Sequence, residues 1–261
     1  MGRRTYALRI AYDGATFRGW QRQPGERTVQ QALEDALAAL LGERIRVHGA
    51  ARTDAGAHAE GQVASFSIRR SVPPDELLAL PIPAEIRIRD AAEAQRSFHA
   101  RASAIGKCYR YDFVWGSSSR EGAFHLGGAN PDWGGARLAL RGLDDLPQLA
   151  GLCCPSSNRK PAPPFDAWAL EARDGVAQLV VRARAFRKHE VRNLAGHLAA
   201  IALGLARPES LAALARGPRP WHGAMAPADG LTLVEVFYPR ELDPFRSSRP
   251  ELSAERAPPP R

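Results

Sequence analysis

The sequence predicts an α+β protein: two α/β subdomains forming a curved, mainly antiparallel sheet, with helices on one face and a basic central cleft on the other. Three observations point there. Runs of alternating apolar and polar residues mark several strands in each half of the chain. Each half also carries one clear amphipathic helix. Finally, 36 Lys and Arg stand against 28 Asp and Glu, a net charge of +8 with a pI near 10.0. The expected boundaries are 1–102 for the first subdomain, 103–240 for the second and 241–261 for a disordered tail. At 261 residues, 44% hydrophobic and 25% charged, the composition is that of a globular chain with room for two cores.

The elements follow in order. Tyr6, Leu8, Ile10 and Tyr12 alternate with Ala7, Arg9 and Ala11, a half-buried strand ended by Asp13-Gly14. Thr28, with Gln31 three residues on, forms a capping box for a helix through Val29, Leu33, Leu37 and Leu41, which Gly42 stops. Arg44–Ala50 and Gln62–Phe66 read as strands joined by a loop. A short helical segment lies among Pro73, Pro74, Pro81 and Pro83, and Ile86 and Ile88 mark a fourth strand. Ser97–Ser103 is polar and basic and reads as the link between subdomains.

The second half opens with a strand, Lys107–Val114, with Tyr109, Tyr111 and Phe113 on one face and Arg110 and Asp112 on the other. A Gly/Ser-rich loop follows to Ala129. Asn130-Pro131 makes an N-cap and first turn for a helix to about Leu140. Ser156–Pro164 is Pro-rich loop. Asp174-Gly175 between Ala167–Arg173 and Val176–Ala183 is a two-residue hairpin signal. A helix carries Val191, Leu194, Ala195, Leu198, Ala199 and Ala202, and Leu231–Tyr238 is the last strand.

The basic excess suits a polyanion, nucleic acid first and an acidic membrane second. It is nearly all arginine, since Lys107, Lys160 and Lys188 are the only lysines, so coding bias is the competing explanation. Cys108, Cys153 and Cys154 have neither disulfide nor zinc spacing and read as reduced thiols. The longest apolar run, Leu194–Leu205, is too short to span a bilayer, so a cytoplasmic protein without membrane contact is expected. No phosphate-binding glycine loop, dinucleotide fingerprint, zinc helix or nucleophile elbow is present, which argues against cofactor and metal chemistry.

Two stretches hold candidate chemistry. Ala51–His58 packs Arg52, Asp54 and His58 into seven residues around Gly56. It is either a hairpin loop whose Asp and Gly serve turn chemistry, or a loop that presents a carboxylate. Arg182, Arg184, Arg187, Lys188, His189 and Arg192 form a basic cluster around a strand end and helix start, able to meet phosphate or to remain a solvated helix end. His189-Glu190 within it reads as solvated rather than metal-binding. Tyr109 and Tyr111 could stack on bases, with core packing the expected fate of at least one.

Arg52-Thr53-Asp54-Ala55-Gly56-Ala57-His58 with Gly61-Gln62-Val63 resembles the catalytic motif of the tRNA pseudouridine synthase A family. Tyr12-Asp13-Gly14 with Gly19–Gln23, Phe98–Arg101, Tyr109–Tyr111, Phe186–Asn193 and Ala226–Leu231 resemble further blocks of that family in the same order. The resemblance spans about Tyr6 to Pro239. It implies the pseudouridine synthase fold with two RRM-like halves, no cofactor or metal, and a homodimer that isomerises uridine at positions 38, 39 and 40 of the tRNA anticodon stem-loop. It also implies the roles: Asp54 the catalytic aspartate, Tyr109 the active-site tyrosine that also contacts the base, and Arg192 the aspartate's basic partner. Arg52 displaces the target nucleotide, Leu231 lines the uracil pocket, and His58 joins the substrate-binding set. The expected site is the cleft between the halves. Departures are Ala51 where the family has glycine, no asparagine ahead of Leu80-Pro81, and a divergent 143–164 segment, which bear on RNA-contacting loops. The competing class is a non-catalytic RNA-binding protein or RNA chaperone with two RRM-like halves. It leaves an aspartate in a basic setting unexplained. A hydrolase using Asp54 and His58 lacks supporting motifs.

Overall fold

Alternation and capping set the elements, seen here in a computed structural model that describes residues 2–128, 130–154, 163–217 and 223–246. In chain order they are β1 (Arg4–Tyr12), α1 (Val29–Leu41), β2 (His48–Gly49), β3 (His58–Ile68), α2 (Pro74–Leu78), β4 (Ile86–Ala94), β5 (Gly106–Val114) and β6 (Phe124–His125). Then come α3 (Trp133–Arg141), a 3-10 turn (Ala150–Leu152), β7 (Ala167–Arg173), β8 (Val176–Ala183), α4 (Glu190–Ala202), α5 (Glu209–Arg216) and β9 (Leu231–Phe237). The chain forms two compact units. One runs to Gly106 and resumes at Thr232, and the other is Lys107–Leu231. The fold class is α+β, as expected. Among the described residues no helix is long and apolar enough to cross a membrane.

In the first unit β1 is central, antiparallel to β3 on one side and β4 on the other. Tyr6, Ala7, Leu8 and Ile10 are therefore fully buried, more than a half-buried strand would be. β9 runs parallel to β3, with His58 opposite Thr232 and Ala59 opposite Leu233. Gly61 permits that approach, since a Cβ there would lie 2.2 Å from the Val234 carbonyl oxygen. From Thr232 the last strand counts with the first unit, where the expected second subdomain ran 103–240.

Thr28 Oγ1 accepts the Gln31 N–H and Gly42 closes α1 at φ +71°, as the capping residues imply. The expected strand Arg44–Ala50 reduces to the two residues of β2, paired with Ser65 and Ala64. Its earlier part is tied instead to α1: the buried Glu34 accepts from the Val47 N–H at 3.1 Å, from Gln30 at 3.0 Å and from Arg22 at 2.9 Å. Ser97–Ser103 is a turn of this unit, with Phe98 and Ala100 buried.

The expected tail begins later than 241. Phe245 is buried, the Arg9 guanidinium lies 4.7 Å above its ring, and Asp243 caps its N–H at 3.0 Å. The remainder, 247–261, lies outside the described residues.

The second unit is built on the antiparallel strands β5, β8 and β7. The β7–β8 hairpin turns through Asp174 at φ +51° and Gly175 at φ +77°, two left-handed residues as the Asp-Gly signal demands. α3 packs on α4 and α5. Its N-cap is Asp132, whose Oδ1 accepts the Gly134 N–H at 2.9 Å, rather than Asn130. Most of the expected loop at Ser156–Pro164 lies outside the described residues.

Candidate active site

Within the first unit, the chain between β2 and β3 is a loop tied at nearly every residue. Gln62, fully buried, brackets Ala51 with its amide: Oε1 accepts the Ala51 N–H at 3.1 Å and Nε2 donates to the Ala51 carbonyl at 2.8 Å. Thr53 Oγ1 lies 2.7 Å from the Tyr12 hydroxyl, and its carbonyl accepts the Trp20 N–H at 3.1 Å. Gly56, at φ +85°, gives its N–H to the Phe17 carbonyl, and Ala57 closes a turn on the Asp54 carbonyl at 3.1 Å. Gly19 lets the preceding loop press close, since a Cβ there would lie 2.7 Å from the Thr53 carbonyl oxygen. Each bond contributes about 0.5–1.5 kcal/mol, against about 1–2 kcal/mol to fix a residue's backbone. With Ala51, Thr53 and Ala57 buried besides, the loop is held far more firmly than a turn requires. Between these anchors Asp54 is half-buried and Arg52 exposed.

Burial raises the Tyr12 phenol to about 12, so it stays protonated as a partner for Thr53. His58 sits at the start of β3. Its Nδ1 accepts the Gly14 N–H at 3.2 Å, and Asp13 Oδ1 lies 3.1 Å from the same nitrogen. The ring thus pins the Asp13-Gly14 turn to the loop, while Nε2 is buried.

Tyr109, Arg192 and Leu231 belong to the second unit. On β5 the Tyr109 ring meets Phe186 edge-on, centroids 4.9 Å apart at 82°. Both tyrosines are buried, Tyr111 fully, with its hydroxyl donating to the Pro227 carbonyl at 2.7 Å. Gly230 passes so near that a Cβ would lie 2.6 Å from that ring.

Arg192, in the first turn of α4, exchanges bonds with Ala226. Its Nε donates to the Ala226 carbonyl at 2.9 Å, and its own carbonyl accepts the Ala226 N–H at 3.0 Å. Leu231 is buried after a turn closed by its N–H on the Ala228 carbonyl. The segment 226–231 therefore gathers Arg192, Tyr111 and Leu231. The Tyr111 phenol is held above its ordinary range by burial first and by the charge of Asp229 second, with Arg192 opposing. Asp229 thus joins this group, although the sequence marked it only as part of a family block.

Glu190 corrects an expectation. It is 1% exposed rather than solvated: Oε2 accepts the Arg187 N–H at 2.7 Å, and Oε1 is buried without a hydrogen-bond partner. The left-handed His189, φ +63°, turns the chain so that the carboxyl folds inward beneath the helix start. Burial lifts its pKa to about 8, so it is a neutral acid at pH 7.

The profile of the tRNA pseudouridine synthase family matches residues 9–101 and 157–239. Proteins named tRNA pseudouridine synthase A are similar over nearly the whole chain. The one from Geotalea uraniireducens is 37% identical over 245 residues, covering 90% of this chain and 100% of its own. That from Rhodopseudomonas palustris is 37% identical over 246 residues, covering 89% and 99%. That from Acetivibrio thermocellus is 32% identical over 244 residues, covering 90% and 100%. The matched residues include the Asp54 loop, Arg192 and the 226–231 segment, and the chain belongs to the tRNA pseudouridine synthase family.

Proposed function

We propose that this enzyme isomerises uridine to pseudouridine at positions 38, 39 and 40 of the tRNA anticodon stem-loop, with Asp54, Tyr109 and Arg192 as its catalytic residues. The observation that carries the reading is the Asp54 loop. A strongly basic chain spends at least seven hydrogen bonds and three buried residues on holding one half-buried carboxylate in place, flanked by an exposed arginine. Pure RNA binding gives no reason for this, since an acid repels phosphate.

The reaction breaks the N1–C1′ bond, turns the uracil and joins C5 to C1′, while C5 gives up its proton and N1 gains one, so atoms and electrons balance within the nucleotide. An ionised carboxylate serves as nucleophile or as base at C2′. Arg192, its Nε fixed on the Ala226 carbonyl, is the basic partner proposed for that carboxylate. Tyr109, steadied by Phe186, offers a ring to hold the base and a phenol to move a proton. A stem-loop target must leave its stack, and Arg52, exposed beside the carboxylate, is suited to fill the vacated space. Leu231 contributes apolar surface to the uracil. His58 acts on the substrate side through the Asp13-Gly14 turn it pins.

A homodimer sharing one tRNA and a cytoplasmic location complete the proposal. Incubation of the purified protein with unmodified tRNA, followed by mapping of pseudouridine, tests it. Pseudouridine at 38–40 supports the reading, and binding without any pseudouridine favours the RNA chaperone.

A further inference from the structure

Beside the Asp54 loop, the first unit gathers basic side chains with little to offset them. β2 sets His48 opposite Ser65 of β3. Ser65 Oγ accepts the Ala100 N–H at 3.0 Å, and the Tyr238 hydroxyl donates to the Ala100 carbonyl at 2.6 Å. The turn after β4 is thereby pinned against the end of β2. Ala100 is buried, and its neighbours His99 and Arg101 flank it. The His48 and His99 rings come within 4.7 Å, at 40°. His99 Nδ1 accepts the N–H groups of Arg101 and Ala102 at 3.1 and 3.2 Å, which holds the ring over that turn.

The charges are mismatched. Burial first, and the charge of Arg52 second, lower the Arg101 pKa. Burial lowers that of His48, and His99, Arg46 and Arg101 lower it further. The acid that opposes them is Glu34 of α1, already engaged by Gln30, Val47 and Arg22. Like charges gathered this way cost free energy in the free protein, and a bound anion recovers it. Guanidinium forks suit the paired oxygens of a phosphate.

We propose that Arg101 and the His48–His99 pair form a site for one phosphodiester of the RNA substrate, with Arg46 and Arg52 at its rim. It rests on the reading of this chain as an RNA-modifying enzyme. The rim of the site begins two residues before Asp54, so the site grips backbone next to the target nucleotide. By linkage, a phosphate that favours protonated His48 is bound more tightly when His48 is protonated, so RNA affinity rises as pH falls below neutrality.

The test uses the full chain and an anticodon stem-loop RNA, with Kd measured against salt and pH. Arg101→Gln lowers the slope of log Kd against log salt by about 0.7–0.9, the value of one phosphate contact. His48→Gln removes the tightening between pH 7.5 and pH 5.5. Arg4→Gln, which makes the same change of charge at a residue paired with Glu93, leaves both unchanged. If Arg101→Gln keeps the wild-type slope, or Arg4→Gln lowers it equally, the site is refuted while pseudouridine formation by the wild type still stands. A wild-type protein that neither binds nor modifies the RNA overturns the wider reading and this site together.

Discussion

Replacing Glu190 by Gln should stabilise the protein at neutral pH, although the wild-type side chain is almost fully buried and hydrogen-bonded. In the folded state its pKa is raised from the ordinary 4.5 to about 8, with burial the largest cause and the Arg187 N–H and charge opposing it. A raised acid keeps its proton when folded and loses it when unfolded. Its contribution is complete below 4.5 and is lost as pH climbs toward 8. At pH 7 the difference spans 2.5 units, an upper bound of about 3 kcal/mol at 1.36 kcal/mol per unit. Glutamine keeps the bond to the Arg187 N–H and leaves its NH2 where Oε1 lies unpartnered, so a net gain of about 1–3 kcal/mol is expected. Other ionisable groups near the helix start, Arg187, Lys188, His189, Arg192, Cys153 and Cys154, are the same in both proteins. Urea unfolding at pH 5, 6, 7 and 8 provides the assay. The gap between variant and wild type should widen with pH and level off above 8. Parallel curves would refute the reasoning.

Three further perturbations follow. Gln62→Leu strands the buried N–H and carbonyl of Ala51 at about 1–3 kcal/mol each, so Tm and kcat should fall together; an unchanged Tm would show that water replaces the amide. Gly230→Ala drives a methyl into the Tyr111 ring and should cost about 1–3 kcal/mol in chemical denaturation, with wild-type stability the contrary result. Arg192→Ala should lower kcat roughly a hundredfold while circular dichroism stays native; near-normal turnover would leave Arg192 the role of a clamp on Ala226.

Where local chemistry decides structure, the sequence was readable. Thr28 and Gly42 bound α1, and Asp174-Gly175 turns the β7–β8 hairpin, because a cap or a positive φ admits few residue types. The loop that holds Asp54 was legible as a motif, but not its anchors, since Gln62, Tyr12 and Trp20 reach it through side-chain geometry set by the sheet. Glu190 was misread for a related reason. A charged pair in a basic run looks solvated until a left-handed His189 folds the carboxyl inward. α5 went unmarked, although Leu211 and Ala215, four residues apart behind Pro208, carried its signal. Asp229 and Phe245 meet partners remote in sequence, the Tyr111 phenol for one and Arg9 for the other.

The central claim is that this chain makes pseudouridine in tRNA through Asp54. The most direct measurement incubates unmodified tRNA with the wild-type protein and with Asp54→Asn, then quantifies both bound RNA and pseudouridine. Wild type should convert uridines in the anticodon stem-loop, and the variant should bind the tRNA with similar affinity yet form no pseudouridine. Pseudouridine formed by Asp54→Asn at the wild-type rate would contradict the claim.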